Sequence, residues 1–180
     1  MTRVLIVDDK AENLYYLQAL LAGHGYTVER AMHGAEALVR ARNTVPDLVV
    51  SDLLMPVMDG YTLLRHWKAD PRLARVPFVV YTATYTEPED ERLARALGAD
   101  AFILKPAEPD DFLERLRAVE AAHRAGTPPS VPRSLTEEPD LLKIYSQTLV
   151  RKLEEKTLLL EEANLSLQQE VSERRRIADI

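Results

Sequence analysis

The 180-residue sequence predicts a doubly wound α/β domain, a five-stranded parallel sheet covered by helices, followed by one long α-helix. Three observations predict it. Between residues 1 and about 124, five short apolar runs alternate with five amphipathic stretches, the βαβ rhythm of a parallel sheet with right-handed crossovers. Three of those runs are nearly continuous in apolar or β-branched residues, as strands buried on both faces must be. Beyond a proline-rich stretch, residues 141–180 contain neither proline nor glycine.

The elements follow in order. "RVLIV" (3–7) is the first strand, and "AENLYYLQALLAGHG" the first helix, with Leu14, Leu17, Leu20 and Leu21 on one face and Gly23 and Gly25 as stop signals. "YTVER" (26–30), "DLVVS" (47–51), "PFVVY" (77–81) and "AFILK" (101–105) are the remaining strands. "GAEALVRAR", "GYTLLRHWKAD", "PEDERLARALGA" and "EPDDFLERLRAVEAAH" are the helices between and after them. The chain divides into a sheet domain over 1–124, a linker over 125–140 containing Pro128, Pro129, Pro132 and Pro139, and a helix over 141–180. In that helix Leu153, Leu160 and Leu167 recur every seven residues. Leu142, Leu149, Ala163 and Ile177 take companion positions, and Lys156 and Glu170 fall on the same seam. Leu158, Leu159 and Leu165 lie outside it. A helix of this pattern predicts a homodimeric coiled coil, because it cannot bury its stripe alone.

Composition narrows the function. A net charge of −6 and a pI near 5.3 argue against nucleic-acid binding by the chain as a whole. With no cysteine, neither a disulfide framework nor a thiolate metal site is available. No apolar run reaches the roughly 20 residues that span a bilayer, and "MTR" leads straight into a strand, so the cytoplasm is the expected compartment. His24, His33, His66 and His123 have no ligand spacing and are expected at the surface; Trp67 is expected in packing.

In doubly wound sheets, functional groups gather at the carboxyl ends of the strands. Here those ends carry Asp8 and Asp9 (first strand), Asp52 (third), Thr82 (fourth) and Lys105 (fifth). Three carboxylates brought together need a counter-charge. A hard divalent cation with oxygen ligands is the usual solution, and Mg²⁺ takes one or two protein carboxylates while leaving positions for a phosphate. With a lysine, a hydroxyl and an aspartate able to act as nucleophile, the set reads as a phosphoryl-handling site.

The motifs "VDD" (7–9), "SDLLMPVMDG" (51–60), "YTA" (81–83) and "FILKP" (102–106), in this order, resemble the response-regulator receiver domains of two-component phosphorelays, which have a flavodoxin-like fold. The resemblance covers about residues 1–124. It implies that Asp52 is the phosphoacceptor, loaded from a sensor histidine kinase or phosphotransfer protein. Asp9, Asp52 and the carbonyl of Leu54 would hold Mg²⁺, with Asp8 assisting through water, and Thr82 and Lys105 would contact the phosphoryl oxygens. It further implies a cis bond before Pro106 and a switch pairing Thr82 with Phe102. Leu54 and Thr84 depart from the commonest pattern, and Tyr81 and Tyr85 flank the threonine where they could crowd the signalling face. On this reading the chain is a phosphoacceptor regulator rather than an enzyme, with its output beyond "SERRRIADI". The alternatives are a Mg²⁺-dependent aspartyl-phosphate phosphohydrolase, disfavoured because the first strand gives "DDK" rather than D-x-D, and a coiled-coil scaffold with an inactive receiver.

Overall fold

A computed structural model describes residues 2–53, 55, 57–83, 88–126 and 139–178. Five parallel strands, β1 (Arg3–Val7), β2 (Thr27–Ala31), β3 (Leu48–Ser51), β4 (Phe78–Thr82) and β5 (Ala101–Leu104), form one sheet in the order β2-β1-β3-β4-β5. The helices are α1 (Ala11–Ala22), α2 (Gly34–Asn43), α3 (Gly60–Ala69), α4 (Pro88–Ala96), α5 (Pro109–Arg124) and α6 (Pro139–Ala178). The chain winds one way from β1 to β2 and the other way from β1 through β3 to β5. The reversal lies between β1 and β3, where this class of sheet opens its crevice.

β2 begins one residue later than the apolar pattern suggests, because the Tyr26 amide is taken by Leu21 O at the end of α1 (3.1 Å), leaving Thr27 to open the pairing with β1. β4 likewise runs to Thr82, which pairs with Leu104. One face of the sheet, carrying Val4, Ile6, Val50, Val79, Tyr81 and Ile103, packs on Leu14, Leu17 and Leu21 of α1 and on Phe112, Leu113 and Leu116 of α5. Leu20 sits half-buried at the rim of this core. The alternate strand residues, among them Leu5, Val49, Phe78, Val80 and Phe102, are buried on the opposite face. Trp67 is buried as expected, edge-on to Phe78 (centroids 5.9 Å apart) with its indole N–H on Val76 O at 3.2 Å. His33 does more than sit at the surface: its Nδ1 accepts from Glu36 N (3.2 Å) and caps α2.

Contacts divide the chain into two units, Met1–Leu141 and Leu142–Ile180. Most of the linker, residues 127–138, lies outside the described residues. α6 starts at Pro139, two residues before the expected helix, since a proline without an N–H fits a first turn whose amides have no intrahelical partner. Among the described residues no helix is long and apolar enough to cross a membrane.

Candidate functional site

Four of the five strand ends, those of β1, β3, β4 and β5, deliver polar residues to one crevice. The backbone holds the ends in line: Asp8 N donates to Ala31 O (3.1 Å), Asp52 N to Val7 O (2.9 Å) and Lys105 N to Thr82 O (2.9 Å). Carboxylate oxygens of Asp8, Asp9 and Asp52 come within 4.8 Å of one another. Asp8 is buried, and its oxygens accept from Lys10 N (2.9 Å), Asn13 Nδ2 (3.1 Å) and Lys105 Nζ (2.7 Å). Lys105 Nζ also lies 3.6 Å from Asp52 Oδ2 and 5.1 Å from the centroid of the Tyr81 ring. Asp52 Oδ1 accepts from Leu53 N at 2.7 Å, and the Thr82 hydroxyl hydrogen-bonds the same carboxylate. The Lys105–Pro106 peptide is cis. Leu54, whose carbonyl the resemblance assigns to Mg²⁺, lies outside the described residues, as do Thr84 and Tyr85.

Burial pushes the Asp52 carboxyl above the usual carboxylate range, and the neighbouring Asp8 adds to the rise. Lys105, the Thr82 hydroxyl and the Leu53 amide oppose it without cancelling it. The folded state therefore binds a proton at Asp52 more readily than the unfolded chain. Stability accordingly falls as pH rises from the unfolded-chain value through the raised one. With chelator present, Asp52→Asn should thus be more stable than the parent at pH 7, by on the order of 1 kcal/mol. The gain should shrink as pH falls toward the unfolded-chain value and vanish below it, where the carboxyl is protonated in both states. Denaturant midpoints at pH 7 and below that value test this; equal stability at pH 7 would contradict it.

The loop after β3 is shaped around the aspartate. Gly60 N donates to Leu53 O (2.7 Å), and a β-carbon at Gly60 would clash with the carbonyl oxygen of Asp52 and lie 2.7 Å from Leu53 Cα. Val57 takes a left-handed conformation (φ 68°), a strain of about 1–2 kcal/mol for a residue with a side chain. Met58 fills the space beside Gly34, whose N–H donates to Met58 O (3.3 Å). Asp59 caps α3 through Thr62 N (2.9 Å) and Thr62 Oγ1 (2.8 Å). The motif "MPVMDG" marked this loop, but nothing in the one-dimensional pattern showed that Gly60 is pressed against the Asp52 backbone.

Phe102 is buried and pairs in register with Val80, which puts it on the same sheet face as Thr82. Tyr81 lies on the sheet face opposite Thr82. Strand alternation turns its ring to the other side, onto Phe112 (centroids 4.7 Å apart).

The three carboxylates suit a hard cation of small radius: every donor in the cluster is an oxygen, and they come from two adjacent strand ends rather than one flexible loop.

Comparison with known proteins agrees with this geometry. The family model described as the response regulator receiver domain matches residues 4–117. Protein PilH of Pseudomonas aeruginosa is 32% identical over 119 residues, 66% of this chain and 98% of PilH. The gliding motility regulatory protein of Myxococcus xanthus is 40% identical over 103 residues, 57% of this chain but only 13% of that protein's length. The crystal structure of a putative response regulator from Chloroflexus aurantiacus J-10-fl superposes with a TM-score of 0.63 at 32% identity, covering 67% of this chain and 98% of the other. The acidic crevice at the strand-order reversal therefore has a family: this chain belongs to the response regulator receiver domains.

Proposed function

We propose that the chain is the phosphoacceptor of a two-component phosphorelay and that Asp52 takes the phosphoryl group from a phosphohistidine of a sensor kinase or phosphotransfer protein. One observation carries the reading: the Asp52 carboxylate shares its crevice with the Lys105 ammonium, the Thr82 hydroxyl and two further carboxylates. In the transfer, an Asp52 oxygen forms a bond to phosphorus as the phosphorus–nitrogen bond of the donor breaks, and the departing imidazole keeps the electron pair. Leu53 N–H fixes the Asp52 rotamer, while Thr82 and Lys105 offer donors to the phosphoryl oxygens. Asp8, Asp9 and Asp52, with the Leu54 carbonyl, would hold Mg²⁺, which when bound offsets the negative charge gathered at the site.

The phosphoryl oxygens are new acceptors beside Thr82. Drawing the threonine toward them alters the sheet face that it shares with Phe102, the two-state element of the switch. The division into receiver (1–124), linker (125–140) and coiled-coil helix (141–180) makes the tail the route by which that change reaches a partner copy and an output domain. The chain itself is a regulator without enzymatic output, apart from gaining and losing its own phosphate, and binds neither nucleic acid nor membrane.

Incubation with Mg²⁺ and a small acyl phosphate, followed by intact-mass measurement, should add one phosphoryl group. Asp52→Asn and a chelated sample should add none. An adduct retained in Asp52→Asn would place the acceptor elsewhere, and an absence of both adduct and beryllofluoride binding would favour an inactive scaffold.

A further inference from the structure

α6 is one unbroken helix of 40 residues, about 60 Å long, and Val150, Leu153, Leu160, Leu167 and Val171 are each 49–68% exposed on it. The leucine repeat at 153, 160 and 167 admits two sets of companions. Residues four before each leucine, and four before Arg174, are Leu149, Lys156, Ala163 and Glu170, a seam with two charges in it. Residues three before the same positions are Val150, Thr157, Asn164 and Val171. The second set obeys the rules of a two-stranded parallel coil. β-branched residues at a with leucine at d favour two parallel strands, and one asparagine at a fixes register.

The second register also gives the charges a use. Lys156 and Glu170 leave the core for g positions, and Glu161 and Arg175 fall at e. In a parallel, in-register pair, each g residue faces the e residue of the partner's next heptad. Lys156 then meets Glu161 and Glu170 meets Arg175, opposite in sign both times and twice over by symmetry. Glu170 already accepts from Arg174 of its own helix (2.9 Å), and its second oxygen serves the partner. An antiparallel pair layers a against d, which would set the Asn164 amide against leucine and leave it without a partner.

We propose that α6 pairs with α6 of a second copy as a parallel, in-register coiled coil, with Val150, Thr157, Asn164 and Val171 at a, Leu153, Leu160, Leu167 and Arg174 at d, and Asn164 meeting its own copy in the core. This rests on the reading of the tail as a dimerising helix and adds its orientation and register. Leu158, Leu159 and Leu165 fall at b and c and stay on the outer flank.

The chain has no cysteine, so single cysteines report cleanly. The full chain carrying Leu153→Cys or Leu167→Cys, positions about 21 Å apart along the helix, should cross-link to its own copy under mild oxidation. Glu162→Cys, on the outer face, should not. Sedimentation under reducing conditions should give twice 20.4 kDa. Lys156→Glu should weaken association about ten-fold, and adding Glu161→Lys should restore it. A dimer in which only one or neither of the two seam cysteines cross-links overturns the parallel register while leaving dimerisation intact. A trimer or tetramer overturns the two-stranded core. A monomer throughout overturns both the register and the dimerising role of the tail.

Discussion

Replacing Gly60 with alanine should lower the stability of the receiver by about 3 kcal/mol, the upper part of the range for overpacking, and abolish phosphoryl uptake with it. The added methyl has nowhere to go. It would clash with the Asp52 carbonyl oxygen and crowd Leu53 Cα, and both are backbone atoms held by the bonds from Asp52 N to Val7 O and from Gly60 N to Leu53 O. Relief would require moving α3 or the end of β3, and either displaces the Asp52 carboxylate. Gly25→Ala is the informative contrast. Nothing lies within 4 Å of the site of its β-carbon, so only its positive φ (89°) opposes the change, at about 1 kcal/mol. Denaturant unfolding of both variants, with the intact-mass assay, checks the pair. A Gly60→Ala protein as stable as Gly25→Ala would show that the loop yields.

The second large effect lies at the other end of the sheet. Lys68 is buried along α3, its Nζ 3.2 Å from Asp100 Oδ2 and 3.5 Å from Ala74 O, with its methylenes packed over Gly98. The same Asp100 oxygen accepts from Phe78 N at 2.8 Å, so one carboxylate ties the start of β4, the start of β5 and α3 together. Lys68→Met keeps the stem and removes the charge. Breaking a buried pair from one side costs about 3–5 kcal/mol, and because Asp100 retains its amide donor the expected loss is about 3 kcal/mol. Lys68→Met combined with Asp100→Asn should recover at least half of it, and phosphoryl uptake should persist in the folded fraction of both. A loss in the double variant equal to the sum of the single losses would mean that the pair itself contributes little.

These two predictions also mark what could be read from the chain before folding. A parallel sheet buried on both faces announces itself, because every polar residue that ends an apolar run is conspicuous. Asp8, Asp9, Asp52, Thr82 and Lys105 stood out for that reason, and all five end at one crevice. What stayed hidden depends on distance rather than pattern. Lys68 and Asp100 are 32 residues apart, and no periodicity links them. Lys105 lies closer to Asp8 than to Asp52, although both are carboxylates at neighbouring strand ends. Tyr81 looked like a neighbour of Thr82 in function because it is one in sequence. A strand sends adjacent side chains to opposite faces, and the Tyr81 ring lies on Phe112. In the tail the leucines at 153, 160 and 167 recur every seven residues, but that repeat alone does not say which neighbours would share their seam.

The order β2-β1-β3-β4-β5 leaves the sheet with two rims, and neither invites a sixth strand. β2 carries Glu29 and Arg30, charged side chains that discourage edge-to-edge pairing. β5 is four residues long, and two residues after its end stands Pro106, which has no amide hydrogen to give. Aggregation by strand addition is thereby opposed at both rims.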